Sequence, residues 1–434
     1  MKIQIFPEPV KIKELKGAFK ITNSMMKLLN NPTGEFDTYR KNLSKFNVIL
    51  EKKPGNEQIE KLGVEGYRLS VLEDKIKIVA NNDAGCFYGL QSLRWFLPVE
   101  KNEEREDPVR IPCCEIEDYP HFSYRGFMLD EARYFLGKET VKKVLDWMAL
   151  LKLNRFHWHL TEDQGWRIEI PQYPKLTEIG SKRASTPKYR NNKPPNGEEN
   201  SDGIPHEGYY TQDQIKEIIE YAKNRFITII PEFEIPGHAT AALASYPEYR
   251  CILPDDIPPE GADIFGRHLD GPNITVSTKW GVHANIFCAG NPETIKFIQD
   301  VLKELADLFP SKIIHIGGDE VPKAQWMCCD RCQEKMEQLE ITTEEHLQIE
   351  FTAEMIDFLA QLGKKTMLWN EHTDDSLSKR KEHVICQYWT GSIEKVNNFL
   401  EEGGKLVMSP SRSVYMDLAY HSLPLKKVYD YNPL

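Results

Sequence analysis

Residues 312–320, KIIHIGGDE, are the stretch from which the fold can be worked out. An apolar run leads into Gly317 and Gly318, and Asp319 and Glu320 follow directly. The apolar run is typical of a buried strand, and glycines at its end let a backbone or a ligand approach closely. Adjacent carboxylates repel each other unless each has its own partner or task. Either a helix begins at this pair, where acids are favourable, or the two acids have separate functions.

The same pattern, a short apolar run that ends in polar residues, recurs from about residue 119. Helical patterns such as KETVKKVLDWMALLK (138–152) and NPETIKFIQDVLKELADLF (291–309) separate most of the runs. Strand and helix in alternation predict a parallel sheet. The seven strand candidates are RGFMLD (125–130), NRFHWHL (154–160), FITIIPEFE (226–234), KIIHIGGDE (312–320), KTMLWNE (365–371), VICQYW (384–389) and KLVMSPS (405–411).

We therefore predict an α/β fold in which residues 119–434 form a (β/α)8 barrel of TIM type. Such a barrel needs eight strands, and the eighth is apparently missing from this sequence. Residues 1–118 predict a small α+β domain, because YRLSV (67–71) and KIKIVA (75–80) alternate like paired strands. A helical pattern then follows Asn82 and stops at Pro98.

Composition argues against several classes of partner. The 55 basic and 66 acidic residues give a net charge of −11 without a basic cluster, which disfavours nucleic acid. No apolar run approaches the roughly 20 residues of a membrane helix, and the N-terminus does not resemble a secretory signal, so we expect a cytoplasmic protein. The nine cysteines include CCDRC (328–332), but a structural zinc site usually takes two spaced pairs and no second pair is evident. We therefore expect no metal.

Polar and aromatic side chains follow the predicted strands, and the carboxyl ends of parallel barrel strands share one rim. In strand order they are Asp130 and Arg133; His157, His159 and Glu162; Glu232, Glu234 and His238; Asp319 and Glu320; Trp369 and Glu371; Trp389; and Tyr415 and Asp417. Aromatic rings, carboxylates and one arginine suit a sugar, whose C–H face packs on rings and whose hydroxyls bind charged groups. The rim suits a phosphate poorly, since the chain has no glycine-rich phosphate loop.

Simpler explanations exist for most of these residues taken singly. Arg133 could form a surface ion pair, and His238 could cap the helix that follows it. Both His157 and His159 are better explained as satisfied core histidines. The tryptophans could be ordinary core aromatics.

Taken together, these motifs resemble glycoside hydrolase family 20, the β-N-acetylhexosaminidases. HIGGDE resembles the catalytic strand of that family, and LDEARYF with KLNRFHWHLTEDQGWRIEI resembles its first two strands. PEFEIPGHA, MLWNE, QYW and YMD follow in the family's order, and AGCFYGLQSL is similar to its N-terminal domain. The resemblance covers essentially the whole chain.

The resemblance implies a role for each matching residue. Glu320 would be the general acid and base, and Asp319 would orient the substrate's 2-acetamido group, whose oxygen is the nucleophile. Arg133 would bind ring hydroxyls. Trp369 and Trp389 would wall the acetamido pocket, Tyr415 would hydrogen-bond the acetamido carbonyl, Asp417 would be its partner, and Glu162, Glu234 and His238 would support the acid. The family's eighth strand carries a Trp-x-Glu element that closes the pocket, and this sequence ends before it.

The expected function is thus an exo-acting, retaining β-N-acetylhexosaminidase that removes terminal GlcNAc or GalNAc and needs no cofactor. Its partner would be an N-acetylhexosamine-terminated oligosaccharide or glycoconjugate, with no nucleic acid and no membrane; the oligomeric state is open. Three alternatives remain: a disaccharide-releasing relative, a glycosidase with Glu234 or Glu371 as covalent nucleophile, and a non-catalytic sugar-binding barrel.

Overall fold

The computed structural model describes residues 3–30, 36–98, 108–189, 198–252, 273–372, 377 and 379–433. Two compact units divide the chain. One comprises Met1–Phe127, Glu139–Phe156 and Glu217–Thr228, and the other Met128–Lys138, His157–Lys216 and Ile229–Leu434. The predicted domain boundary at residue 118 stays a prediction. No helix in the described ranges has both the length and the apolar character of a membrane span.

The N-terminal segment folds around a five-stranded sheet whose strands lie side by side in the order Lys11–Ile21, Val109–Asp118, Tyr67–Val71, Ile76–Ala80 and Val48–Lys52. Its elements are β1 (Lys11–Ile21), α1 (Asn23–Asn30), α2 (Phe36–Ser44), β2 (Val48–Lys52), α3 (Glu57–Glu60), β3 (Tyr67–Val71), β4 (Ile76–Ala80), α4 (Asp83–Arg94) and β5 (Val109–Asp118). The β3–β4 hairpin and the α4 helix confirm the sequence-based prediction. The Asn82 side chain caps α4 by accepting a hydrogen bond from the backbone of Gly85.

The second sheet has seven strands in simple chain order. They are β6 (Gly126–Asp130), β7 (Arg155–His159), β12 (Thr228–Glu232), β13 (Ile313–His315), β14 (Lys365–Trp369), β15 (Val384–Tyr388) and β16 (Lys405–Met408). All seven predicted strands are present, and neighbours from β12 to β16 are parallel. The curled sheet is that of a TIM-type barrel preceded in the chain by an N-terminal domain. The expectation that an eighth strand is missing is not confirmed and stays a prediction.

Helices and short strands fill the connections between these barrel strands, and two short helices follow the last strand. They are α5 (Lys138–Leu150), β8 (Thr161–Glu162), β9 (Gly165–Trp166), α6 (Lys175–Glu178), β10 (Lys182–Arg183), β11 (His206–Glu207), α7 (Gln212–Lys223), α8 (Thr240–Ser245), α9 (Pro292–Leu308), α10 (Ala324–Met327), α11 (Asp330–Gln338), α12 (Glu344–Gln361), α13 (Ile393–Glu401), α14 (Ser411–Val414) and α15 (Leu425–Tyr429), with 3-10 turns at Pro247–Tyr249 and Asn370–His372. The predicted helices over α5 and α9 are confirmed. Asn291 caps α9 and Pro292 opens it, as its sequence indicates.

Candidate active site

The end of β13 brings the two adjacent acids to the rim. Gly317 and Gly318 have φ of +66° and +98°, a backbone conformation that favours glycine. A Cβ on Gly317 would lie 1.7 Å from Oε2 of Glu234, so only a glycine at position 317 leaves room for the Glu234 carboxyl. Helix α10 begins only at Ala324, so the explanation of Asp319 and Glu320 as a helix start is wrong.

His238 lies between two pairs of acids. Its Nδ1 is 3.1 Å from Oε1 of Glu162 and 3.2 Å from Oδ2 of Asp163. Its Nε2 is 3.7 Å from Oδ2 of Asp319 and 3.8 Å from Oε2 of Glu320. Burial opposes the charge on this ring, but the carboxylates of Glu162, Asp163 and Asp319 together raise the pKa of His238 well above its usual value. We therefore treat His238 as an imidazolium.

The backbone conformation of His238 sets the position of its imidazole ring. His238 has φ of +48°, and helix α8 begins after it with Ala239 at the N-cap position. Helix capping by His238 is therefore wrong as an explanation. The helix start is fixed by Asp163, whose Oδ1 accepts hydrogen bonds from the backbone nitrogen of Thr240 at 3.0 Å and from its hydroxyl at 2.6 Å. The sequence prediction missed Asp163, although it adjoins Glu162 in TEDQGW.

Asp319 is the more buried of the two adjacent acids, with 16% of its side chain exposed against 40% for Glu320. Burial raises the pKa of Asp319 from 3.8 to about 6; the charges of Glu232, Glu162 and Glu320 add to this and His238 opposes it. Its Oδ1 is buried and makes no hydrogen bond within the described part of the chain. A buried acceptor without a partner calls for an explanation, and a ligand donor supplies one.

Arg133 is held by carboxylates on two sides. It donates to Oδ2 of Asp130 at 2.6 Å and forms a very short contact with Oε1 of Glu162. Its guanidinium also lies 5.3 Å from the ring centroid of Trp280. The ion pair is therefore part of the rim and not an isolated surface pair. Trp280 was missed because it follows a long polar segment without a strand pattern.

Glu232 organises a buried cluster beneath the rim. Its Oε2 lies 2.8 Å from Nε2 of His157 and 2.5 Å from Nδ1 of His159, and its Oε1 lies 2.8 Å from Nδ1 of His315. The β12–β13 register explains the last contact, since Glu232 and His315 are direct partners. Burial opposes ionisation, but the three histidines hold the pKa of Glu232 well below its usual value. His157 and His159 are buried, as predicted for core histidines, but the prediction that they are satisfied is wrong: both ring nitrogens of His157 and Nε2 of His159 make no hydrogen bond within the described residues.

Trp369 belongs to the same cluster. Its indole N–H donates to Oε1 of Glu232 at 3.0 Å, and its ring centroid is 4.9 Å from that of His315. The residue is 5% exposed. The structure thus fixes the orientation of Trp369, while its expected role as a pocket wall stays a prediction.

Trp389 directly follows β15 and Tyr415 directly follows α14, and their rings form an aromatic pair. Their ring centroids are 6.3 Å apart and their planes differ by 16°. Burial raises the pKa of the Tyr415 hydroxyl, and the charges of Asp319, Glu232 and Asp417 add to this, so the hydroxyl keeps its proton. Asp417 is exposed, and its expected contact with substrate stays a prediction.

Two further carboxyl groups favour their protonated form. Burial, then the charges of Asp319 and Glu232, raises the pKa of Glu234 well above its usual value. Burial and the charge of Asp319 raise the pKa of Glu371 to about 8. Oε1 of Glu371 lies 3.4 Å from the backbone nitrogen of Glu320, so Glu371 adjoins the acid pair.

Possible metal ligands gather in two kinds of place. Sets of histidines and carboxylates occur at the rim and around Glu232. Ion pairs between the members of each set explain why these side chains lie close together. A separate set consists of Cys251, Cys288, Cys329 and Cys332. The sequence argument that CCDRC lacks partner cysteines is therefore wrong, because the partners come from separate segments.

Comparisons with known proteins agree with this geometry. The model of the glycosyl hydrolase family 20 catalytic domain matches residues 122–433, and that of domain 2 of the same family matches residues 2–119. A β-hexosaminidase of Porphyromonas gingivalis is 39% identical over 85% of this chain and 45% of its own length. One from Akkermansia muciniphila is 32% identical over 87% of this chain and 72% of its own length.

Solved structures give the same result. A family 20 exo-β-N-acetylglucosaminidase from Vibrio harveyi, in complex with N-acetylglucosamine, has a TM-score of 0.78 at 31% identity and covers 99% of this chain. A β-N-acetylhexosaminidase from Bacteroides fragilis has a TM-score of 0.70 at 31% identity and covers 94%. The chain spans 66% and 75% of these two proteins, and under half of the Porphyromonas protein.

Proposed function

Because the chain belongs to glycosyl hydrolase family 20, we propose that it is an exo-acting, retaining β-N-acetylhexosaminidase. The substrate would be an oligosaccharide or glycoconjugate that ends in GlcNAc or GalNAc. The observation that carries the proposal is the placement of Asp319 and Glu320 side by side at the end of β13, with His238 Nε2 within 3.8 Å of both. Two acids so placed would reach two different groups of one sugar, the leaving oxygen on C1 and the acetamido nitrogen on C2.

The reaction would be substrate-assisted. The acetamido oxygen attacks C1, the bond from C1 to the leaving oxygen breaks, and Glu320 gives its proton to that oxygen. The ionised Asp319 accepts the acetamido N–H and stabilises the positive charge of the oxazolinium ring. Water then attacks C1 while Glu320 takes a proton from the water. The bond from C1 to the acetamido oxygen breaks, which restores the acetamido group and leaves C1 with its original configuration.

The surrounding residues fit this division of tasks. His238, held as a cation by Glu162 and Asp163, favours the charged form of Asp319. We assign Arg133 to the ring hydroxyls, since its two carboxylate contacts fix the guanidinium. The parallel rings of Trp389 and Tyr415 would hold the acetamido group, with the Tyr415 hydroxyl as donor to its carbonyl.

A covalent nucleophile is the mechanism that the electrostatics disfavour. A nucleophilic carboxylate must be ionised, whereas burial and nearby negative charges favour the neutral forms of Glu234 and Glu371. Neutral carboxyl groups instead suit hydrogen bonding beside the acid pair.

The deciding experiment compares p-nitrophenyl β-GlcNAc with p-nitrophenyl β-glucoside. We expect hydrolysis of the first with retention, and a loss of several orders of magnitude for the second, because it lacks the nucleophile. Equal rates would refute the proposal. Trapping of an enzyme ester by a fluorosugar would support the covalent alternative, and binding without turnover would support a sugar-binding barrel.

Product analysis on longer chains separates exo action from disaccharide release. Release of single N-acetylhexosamine units from the non-reducing end is expected. A cytoplasmic location stays a prediction, and fractionation of cells that express the natural gene would test it.

A further inference from the structure

Four cysteines meet in one buried cluster away from the acid pair. They are Cys251, Cys288, Cys329 and Cys332, and their sulfur atoms all lie within 4.8 Å of one another. The closest separations are 3.7 Å between Cys288 and Cys332, and 3.8 Å for the pairs Cys251–Cys332 and Cys288–Cys329. All four side chains are buried and unbonded to one another.

These separations are those of a metal tetrahedron. Zinc binds thiolate sulfur at about 2.3 Å, so the edge of a regular ZnS4 tetrahedron is about 3.8 Å. Four ligands complete a closed structural zinc site with no open position. The sulfur–sulfur separations are much longer than the roughly 2.05 Å bond of a disulfide, so no two of these cysteines are joined by one.

The surrounding backbone is shaped to bring the ligands together. Phe287 pairs with Arg250 in an isolated bridge, and the backbone nitrogen of Cys288 donates to the carbonyl of Tyr249 at 3.0 Å. A Cβ on Gly290 would lie 2.1 Å from the carbonyl oxygen of Arg331, so only glycine permits this approach of the Cys288 segment to the Cys329–Cys332 segment.

Helix α11 adds favourable electrostatics. Cys329 is its N-cap residue and Cys332 lies in its first turn. The positive end of a helix dipole favours thiolate over thiol, which is the form that binds metal.

We propose that Cys251, Cys288, Cys329 and Cys332 bind a structural Zn²⁺ ion. The ion joins three segments that are separated in sequence: Cys251 just after the 3-10 turn at Pro247–Tyr249, Cys288 in the turn before α9, and Cys329 and Cys332 at the start of α11. Residues 319–329 run from the acid pair to this site, so the ion anchors the far end of the segment that begins with Asp319 and Glu320. The proposal does not depend on the proposed function.

Metal content of the full chain is the test. Protein purified without a metal-affinity step and dialysed against metal-free buffer is expected to hold about one zinc per chain by plasma mass spectrometry. An organomercurial that titrates thiols should release this zinc to a chromogenic chelator. Iron in place of zinc would overturn the assignment, as would metal-free protein with either free thiols or 2-Da mass losses that indicate disulfides.

Variants locate the ion. Cys329→Ser and Cys332→Ser should each lose most of the zinc and lower the Tm, whereas Cys386→Ser, at a buried cysteine in β15, should keep it. Full zinc content in the first two variants would refute this site. If these variants do not fold, zinc release from the unaltered protein still decides whether a thiol-bound zinc exists. Its position then follows from alkylation of the unaltered protein, read by peptide mass mapping. The four cysteines should resist alkylation until the zinc is released.

Discussion

The contact between His238 and Asp319 predicts a measurable pH shift. At 3.7 Å and an effective dielectric constant of about 20, two opposite unit charges attract by about 4.5 kcal/mol, or about three pKa units. Solvent at the partly exposed acid pair reduces this, so we expect His238→Gln to raise the pKa of Asp319 by about one to two units from its value of about 6. Gln still offers an N–H to Glu162 and Asp163.

The assay is kcat/KM on p-nitrophenyl β-GlcNAc between pH 4 and 9, which reports groups of the free enzyme. Asp319 must be charged, so the activity of the unaltered protein should fall as the pH drops through about 6. In His238→Gln this acid limb should move upward, so that the loss is larger at pH 6 than at pH 8. His346→Gln, at an exposed histidine, is the control.

An acid limb at the same pH in folded His238→Gln would refute the reasoning, even if the rate fell.

The pH dependence of the free energy of unfolding is an independent test of the raised pKa of Asp319. Because Asp319 binds its proton more tightly in the folded chain than in the unfolded one, its contribution should fall by about 3 kcal/mol as the pH rises from below 3.8 to above 6. In Asp319→Asn this part of the pH dependence of unfolding should vanish.

Two further predictions concern the rim. Glu320→Gln should slow a substrate with a poor leaving group by about 10²–10⁴ and an activated aryl glycoside far less, while Asp319→Asn should slow both; equal losses in Glu320→Gln would contradict its role as acid. Gly317→Ala should abolish activity because its Cβ would displace the Glu234 carboxyl, whereas Gly363→Ala, with φ of +70° and open space around it, should cost only about 1 kcal/mol of stability. Comparable effects on kcat in the two variants would contradict the steric argument.

Sequence reasoning predicted what depends on periodicity and on chain order. All seven barrel strands follow from short apolar runs, and the meeting of Glu162, His238, Asp319 and Glu320 follows from the rule that strand ends share a rim. Register could not be read from the sequence. The role of Glu232 depends on its alignment with His315 across two strands, which only the sheet reveals.

The contacts made by loop residues could not be predicted from the sequence. Trp280 and Cys251 lie in long segments without a periodic pattern, so nothing local indicated that one would reach Arg133 and the other would reach CCDRC. Asp163 was missed for a different reason: adjacent acids in TEDQGW both reach His238 Nδ1, and the sequence does not show that the second also holds the start of a helix.

The cluster around Glu232 constrains how this barrel can change over time. One buried carboxylate contacts three imidazole rings and an indole, so a substitution of Glu232 removes the shared partner of four side chains at once. A new residue at position 232 therefore requires new partners for these four side chains.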